Sequence, residues 1–203
     1  MSLVSVSTLK EYLPEIQGSE VDSDLTSLID RVEGFIARYL GFTLANSATS
    51  YTLDQSTYTL YADGPMYEVS YVLQLPIKPV ISITSIHSDV DREYGSTTEI
   101  DLTKTTTDKE NSRVILNDDS TDTFETGYRA NKIIGSFGFD TSNPPGDLVH
   151  AICVYCSHLQ RAKNNQGNDS VTQRNSTISL SPRTMPTEVK EILRGYRNVS
   201  TIL

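Results

Sequence analysis

The longest regular pattern in the chain is a stripe of apolar residues, Leu25, Leu28, Ile29, Val32, Phe35, Ile36, Tyr39 and Leu40, spaced at the 3.6-residue period of one helix face. Asp22, Ser23 and Asp24 supply caps and favourable charge at its start, and Gly41 stands where a left-handed residue closes a helix. A helix over 23–40 is predicted. A shorter helix, 7–13, precedes it: Thr8 and Glu11 have capping-box spacing, Ser7 is a rival cap, and Pro14 cannot continue the turn. A third, 146–163, begins in Pro144-Pro145-Gly146-Asp147 and carries Leu148, Ala151, Ile152, Tyr155, Leu159 and Ala162 on one face. A last short helix opens at Pro186, with Val189, Ile192, Leu193 and Tyr196 on its apolar side.

Between 50 and 140 the period changes from helical to alternating. Tyr51-Thr52-Leu53 and Tyr58-Thr59-Leu60-Tyr61 suit adjacent strands of a hairpin, joined by turn-forming Asp54-Gln55-Ser56. Val69 to Leu75 and Val80 to Ile86 read as strands on either side of a Pro76/Pro79 corner. Glu99 to Leu102, Arg113 to Leu116 and Lys132 to Phe137 are further strand candidates, separated by the polar stretches 87–98, 103–112 and 117–130. No helical crossover lies between them, so the pairing is antiparallel. The fold class is α+β: a small bundle of the two N-terminal and two C-terminal helices, with an inserted antiparallel β region. Residues 1–163 form one domain, and 164–203 a flexible arm, polar over 164–185, that ends in the terminal helix.

Composition narrows the classes. The 203 residues carry 17 Lys+Arg against 26 Asp+Glu, a net charge of −9, which opposes free-standing duplex DNA binding through counterion release. Past an acidic inner surface, however, DNA slides without sticking. No run of apolar residues is long enough to span a bilayer, and the N-terminus lacks the basic and apolar regions of a signal peptide. Two cysteines, three residues apart, fit a reducing compartment rather than a disulfide framework.

Catalytic and metal chemistry find little purchase. His150, Cys153, Cys156 and His158 have suggestive spacing, but on one helix His158 points away from the others and no second cluster completes a zinc site. Cys153 and Cys156 lie two turns inside the helix, where a redox pair of that spacing sits at the N-terminus. No nucleophile elbow, phosphate-binding glycine loop or EF-type calcium spacing is present, and Asp89/Asp91 and Asp118-Asp119 fall in turn-rich loops. No catalytic residue, metal ligand or cofactor is assigned.

The order of these pieces resembles the head–tail connector (adaptor) proteins of long-tailed bacteriophages, the gp6-like family. Four stretches carry the likeness: Val6 to Leu13 followed by Leu25 to Gly41; Leu75-Pro76-Ile77-Lys78-Pro79 with Val80 to Ile86; Phe137-Gly138-Phe139 followed by Pro145-Gly146-Asp147-Leu148-Val149-His150-Ala151; and Met185-Pro186-Thr187-Glu188-Val189 through Leu193-Arg194-Gly195-Tyr196-Arg197. The departure is a β-rich middle more elaborate than small members carry. The resemblance implies a structural protein of the virion, assembled in the host cytoplasm. It implies a ring of about twelve copies under the portal protein that extends the DNA channel and seats a stopper or tail-completion protein, with genomic DNA passing non-specifically and no membrane involved.

Residue by residue, Leu25, Leu28, Ile29, Val32, Ile36, Leu148, Ile152 and Tyr155 are expected to form the core. Leu193, Tyr196, Arg197, Ile202 and Leu203 are expected to dock on the portal, since Tyr and Arg are enriched in interface hot spots. The alternative is that the terminal helix packs on its own subunit. Two other functions stay open: a tail-associated module binding carbohydrate or a host receptor through Tyr51, Tyr58, Tyr61 and Tyr71, and a hydrolase or metalloprotein without a recognisable motif.

Overall fold

Four helices meet at the third of them. The computed structural model describes residues 2–64, 70–163, 170–173, 176–179 and 184–198. Helix α1, Val6–Glu11, starts where the Ser5 hydroxyl accepts the Thr8 backbone N–H at 3.1 Å, so the cap is Ser5 rather than Ser7 or Thr8. Helix α2, Asp22–Leu40, carries Asp22 and Asp24 in its first turn and closes on Gly41 at φ 88°, a conformation open to glycine without strain. Helix α3, Gly146–Ala162, is touched by α1, by α2 and by the terminal helix α4, Thr187–Arg194. Leu25, Leu28, Ile29, Val32 and Ile36 of α2 and Leu148, Ile152 and Tyr155 of α3 are all buried in one continuous core.

Two three-stranded antiparallel sheets make the fold α+β. Strands β1 (Ser56–Ala62), β6 (Asn131–Phe137) and β3 (Val80–Ser88) stand side by side in that order. Tyr58 faces Gly135 across the β1–β6 pair, and Leu60 faces Ile133, so alternate residues enter the core. Two register shifts bend β3 against β6, and a Cβ on Gly135 would lie 2.6 Å from the Ser82 carbonyl oxygen; only glycine lets the bulged strand approach. The second sheet sets β2 (Val72–Gln74), β5 (Arg113–Leu116) and β4 (Thr105–Asp108) side by side. It turns Leu73, Val114 and Leu116 inward. Of the expected arm 164–185, the described residues are the paired strands β7 (Ser170–Gln173) and β8 (Ser176–Ser179), with Thr184 and Met185 leading into α4. The rest of that stretch lies outside the described residues, as does Val69.

The β region departs from expectation in three places. Tyr51 to Leu53 is not a strand, and β1 pairs with β6 rather than within a local hairpin, because Leu53 instead turns into the core and its carbonyl accepts the Phe139 N–H. Glu99 to Leu102 forms only a bridge to His87 and the start of a 3-10 turn. Thr105–Asp108, within a stretch expected to be loop, is β4. There the Asp108 carboxylate accepts the Asn111 N–H and side-chain amide and the Arg113 Nε–H, clamping the β4–β5 turn. These bonds, the Asn111 side chain foremost, hold the Asp108 carboxyl down at about 2.

The Tyr58 hydroxyl is buried without a hydrogen-bond partner, so Tyr58→Phe should leave the urea midpoint unchanged or raised, and a lower midpoint would contradict that reading. A depressed carboxyl contributes stability above its ordinary pKa and loses it as pH falls through the folded value. The melting-temperature gap between parent and Asp108→Asn should therefore narrow as pH drops from about 4 towards about 2. A gap independent of pH would contradict the clamp.

Candidate assembly surface

The residues expected to dock outward divide sharply. Leu193 is wholly buried on its own subunit beside Val189, and this corrects the expectation that it faces a partner. The physical reason is the helix's brevity: eight residues with one apolar stripe are not stable alone and close on the nearest unfilled surface, which is α3. Tyr196 is half-buried; its ring meets the edge of Phe139 at 5.6 Å and its hydroxyl donates to Asp147. Burial, with that bond to a carboxylate, pushes the Tyr196 phenol well up. Arg197 is exposed and lies over the Tyr39 ring at 5.8 Å. Ile202 and Leu203 lie outside the described residues.

Polar contacts fix the same end of the chain. His150 links Tyr12 at 2.9 Å and Glu188 at 3.3 Å, joining α3 to α4 and to the residue that follows α1. The Asn198 N–H donates to the Leu40 carbonyl at 2.8 Å, and its side-chain oxygen accepts the Lys78 N–H at 2.9 Å. What α4 leaves outward is Thr187 and four charged residues, Glu188, Lys190, Glu191 and Arg194.

The opposite end of the chain is anchored by a residue that the apolar pattern alone passes over. Glu33 is buried on the core side of α2, where its Oε1 accepts the Ser2 hydroxyl at 2.7 Å and the N–H groups of Leu3 and Val4 at 2.9 and 3.2 Å. Burial pushes its carboxyl above the usual range, against the pull of those bonds. The signal for it is an acidic residue four positions after Ile29 and four before Ala37, inside the apolar stripe.

Between α2 and α3 runs an open groove of about 480 Å³, floored by Leu28, Val32, Tyr155 and Leu159 and rimmed by Arg31 and Lys163. Phe35 stands at its edge, 48% exposed and 5.8 Å from the Tyr155 ring. The four tyrosines considered for carbohydrate do not act together. Tyr58 is fully buried, Tyr51 is covered by Arg38 and Tyr61 by Arg129, and Tyr71 alone of the four is freely exposed.

The candidate metal and redox residues also have structural occupations. Cys153 and Cys156 are buried, and burial pushes the Cys153 thiol up to about 12, far from a reactive thiolate. His150 is bonded as described, and no group of three His, Cys, Asp or Glu side chains converges to hold a metal among the described residues.

Solved structures share this arrangement. A chain in the neck of an empty gene transfer agent particle, computed with C6 symmetry, superposes with a TM-score of 0.56 at 16% identity, over 98% of this chain and 92% of that one. One in the neck of the native particle, computed with C12 symmetry, gives 0.53 at 16% identity, over 96% and 90%. A chain of the native gene transfer agent virion gives 0.51 at 14%, over 98% and 94%. No curated protein sequence matches. The fold is therefore shared with these chains of the particle neck. The chain matches the head completion protein family over residues 2–199 and belongs to it. Its role is that of a structural head–tail connector, placed at the head–tail interface of the virion.

Two substitutions test how the ends are held. Leu193→Ala should lower stability by about 2–5 kcal/mol, the usual range for a buried large aliphatic, and a melting curve unchanged from the parent would contradict its burial. Glu33→Ala, which strands the buried Leu3 N–H and leaves the Val4 N–H only the Ser2 hydroxyl, should cost about 1–3 kcal/mol and speed amide exchange most at Leu3.

Proposed function

We infer that this chain assembles into a ring of about twelve copies beneath the portal, extending the DNA channel and seating the stopper or tail-completion protein. The observation that supports this most directly is the fold shared, over nearly the whole chain, with a neck computed in twelvefold symmetry. The role is mechanical rather than catalytic: each copy must present a rigid body and pass DNA without holding it. Its charge balance suits that, at −9 per copy, and Arg38, Arg129, Lys132 and Arg197 lie over the chain's own tyrosines.

The portal contact then falls to Arg197 and to Val199–Leu203, since Leu193 is spent on the core and Tyr196 on Phe139 and Asp147. Removing residues 199–203 should leave the melting temperature near the parent's and abolish co-sedimentation with portal-bearing heads. Binding at parental affinity would move the docking element elsewhere, with the exposed face of α1 and α2 next in line.

A further inference from the structure

We propose that the β7–β8 hairpins of neighbouring copies join edge to edge and close into one barrel around the DNA channel; this rests on the ring inferred above. Among the described residues β7 and β8 lie against each other, Ser170 opposite Ser179 and Gln173 opposite Ser176, and against no other element more than in passing. A two-stranded hairpin is marginal in water by itself and gains stability when further strands continue the sheet.

The hairpin's edges are left ready for pairing. Elsewhere the chain blunts its own edge strands. The Ser70 hydroxyl accepts the Val72 N–H and donates to the Val72 carbonyl on β2. On β1, the Asn46 N–H donates to the Thr57 carbonyl and its side-chain oxygen accepts the Thr59 N–H. On β3, the Ile86 carbonyl accepts the Ile100 N–H. In contrast, Ser170-Val171-Thr172-Gln173 and Ser176-Thr177-Ile178-Ser179 hold no proline and no charged residue, the two devices that usually keep an exposed edge single.

Cyclic symmetry supplies the partner. Rotation about a ring axis carries each hairpin into the next without reversing it along that axis, so β8 of one copy faces β7 of the following copy. With the strands running along the axis, those two are antiparallel, the more stable ladder, and the pairing repeats until the last copy meets the first. About twelve copies give about twenty-four strands, which at about 4.8 Å spacing close into a ring about 37 Å across the backbones, and tilt widens it. The closed form has no edge left to pair with anything else. With neither Lys nor Arg in either strand, its wall offers DNA phosphates no cation to hold.

The test mixes two single-cysteine variants of the full chain, the native cysteines being buried. One is Thr172→Cys in β7; the other is Ser176→Cys, Thr177→Cys, Ile178→Cys or Ser179→Cys in β8, in four separate mixtures. Each mixture is assembled on portal-bearing heads, the rings are verified by electron microscopy, and the particles are oxidised in a glutathione buffer. At least one mixture should give a disulfide-linked dimer that neither variant gives when assembled alone. Rings that yield no such dimer at any of the four positions, or a dimer from Thr172→Cys alone, would overturn the barrel and leave the ring standing. Heads that acquire no ring would overturn the ring itself, and the barrel with it.

Discussion

Burial of α3 is the constraint on which the other elements depend. It is the helix that α1, α2 and α4 all touch, and Leu148, Ala151, Ile152, Cys153, Tyr155 and Cys156 leave it little surface of its own. A helix buried on several sides needs small residues where neighbours come close, and this accounts for Ala151 and the two cysteines without any redox or metal role. The terminal helix follows from the same constraint. Without α4, the side of α3 that meets it would face water, so the last turns of the chain, through Val189 and Leu193, belong to the core.

Whatever depended on periodicity within one segment was legible before any coordinates. The 3.6-residue stripe of α2, the Pro-Gly-Asp entry of α3 and the alternation of β3 each carry their pattern locally. Pairing at a distance was hidden. Tyr51 to Leu53 and Ser56–Ala62 look alike in composition, yet only the second finds a partner strand, far along the chain in β6. Thr105–Asp108 has no apolar alternation at all and is a strand because β5 lies beside it. The assembly surface divides the same way. Leu193 and Tyr196 were visible as an apolar face, but nothing local says whether such a face meets a partner or its own subunit. The groove was invisible, since its two walls come from opposite ends of the chain.

Charge is handled by pairing cations with rings as much as with carboxylates. Arg38, Arg129, Lys132 and Arg197 each lie over a tyrosine, at 4.1 to 5.8 Å. A cation held on a ring keeps its charge but loses freedom to reach a phosphate, so these four are poorly placed to grip a polyanion. The surface is acidic in number and, in effect, more acidic still.

The two ends of the described chain are tied to the same helix, Ser2 to Val4 at Glu33 and Asn198 at Leu40. Tension applied between the ends therefore runs mainly along about two turns of α2, with one side branch from Asn198 to Lys78 just ahead of β3. Sheets outside the load path can lengthen, shorten or gain loops without weakening the subunit under pull. The β-rich middle is thus largely relieved of that pull, and the helical part carries it.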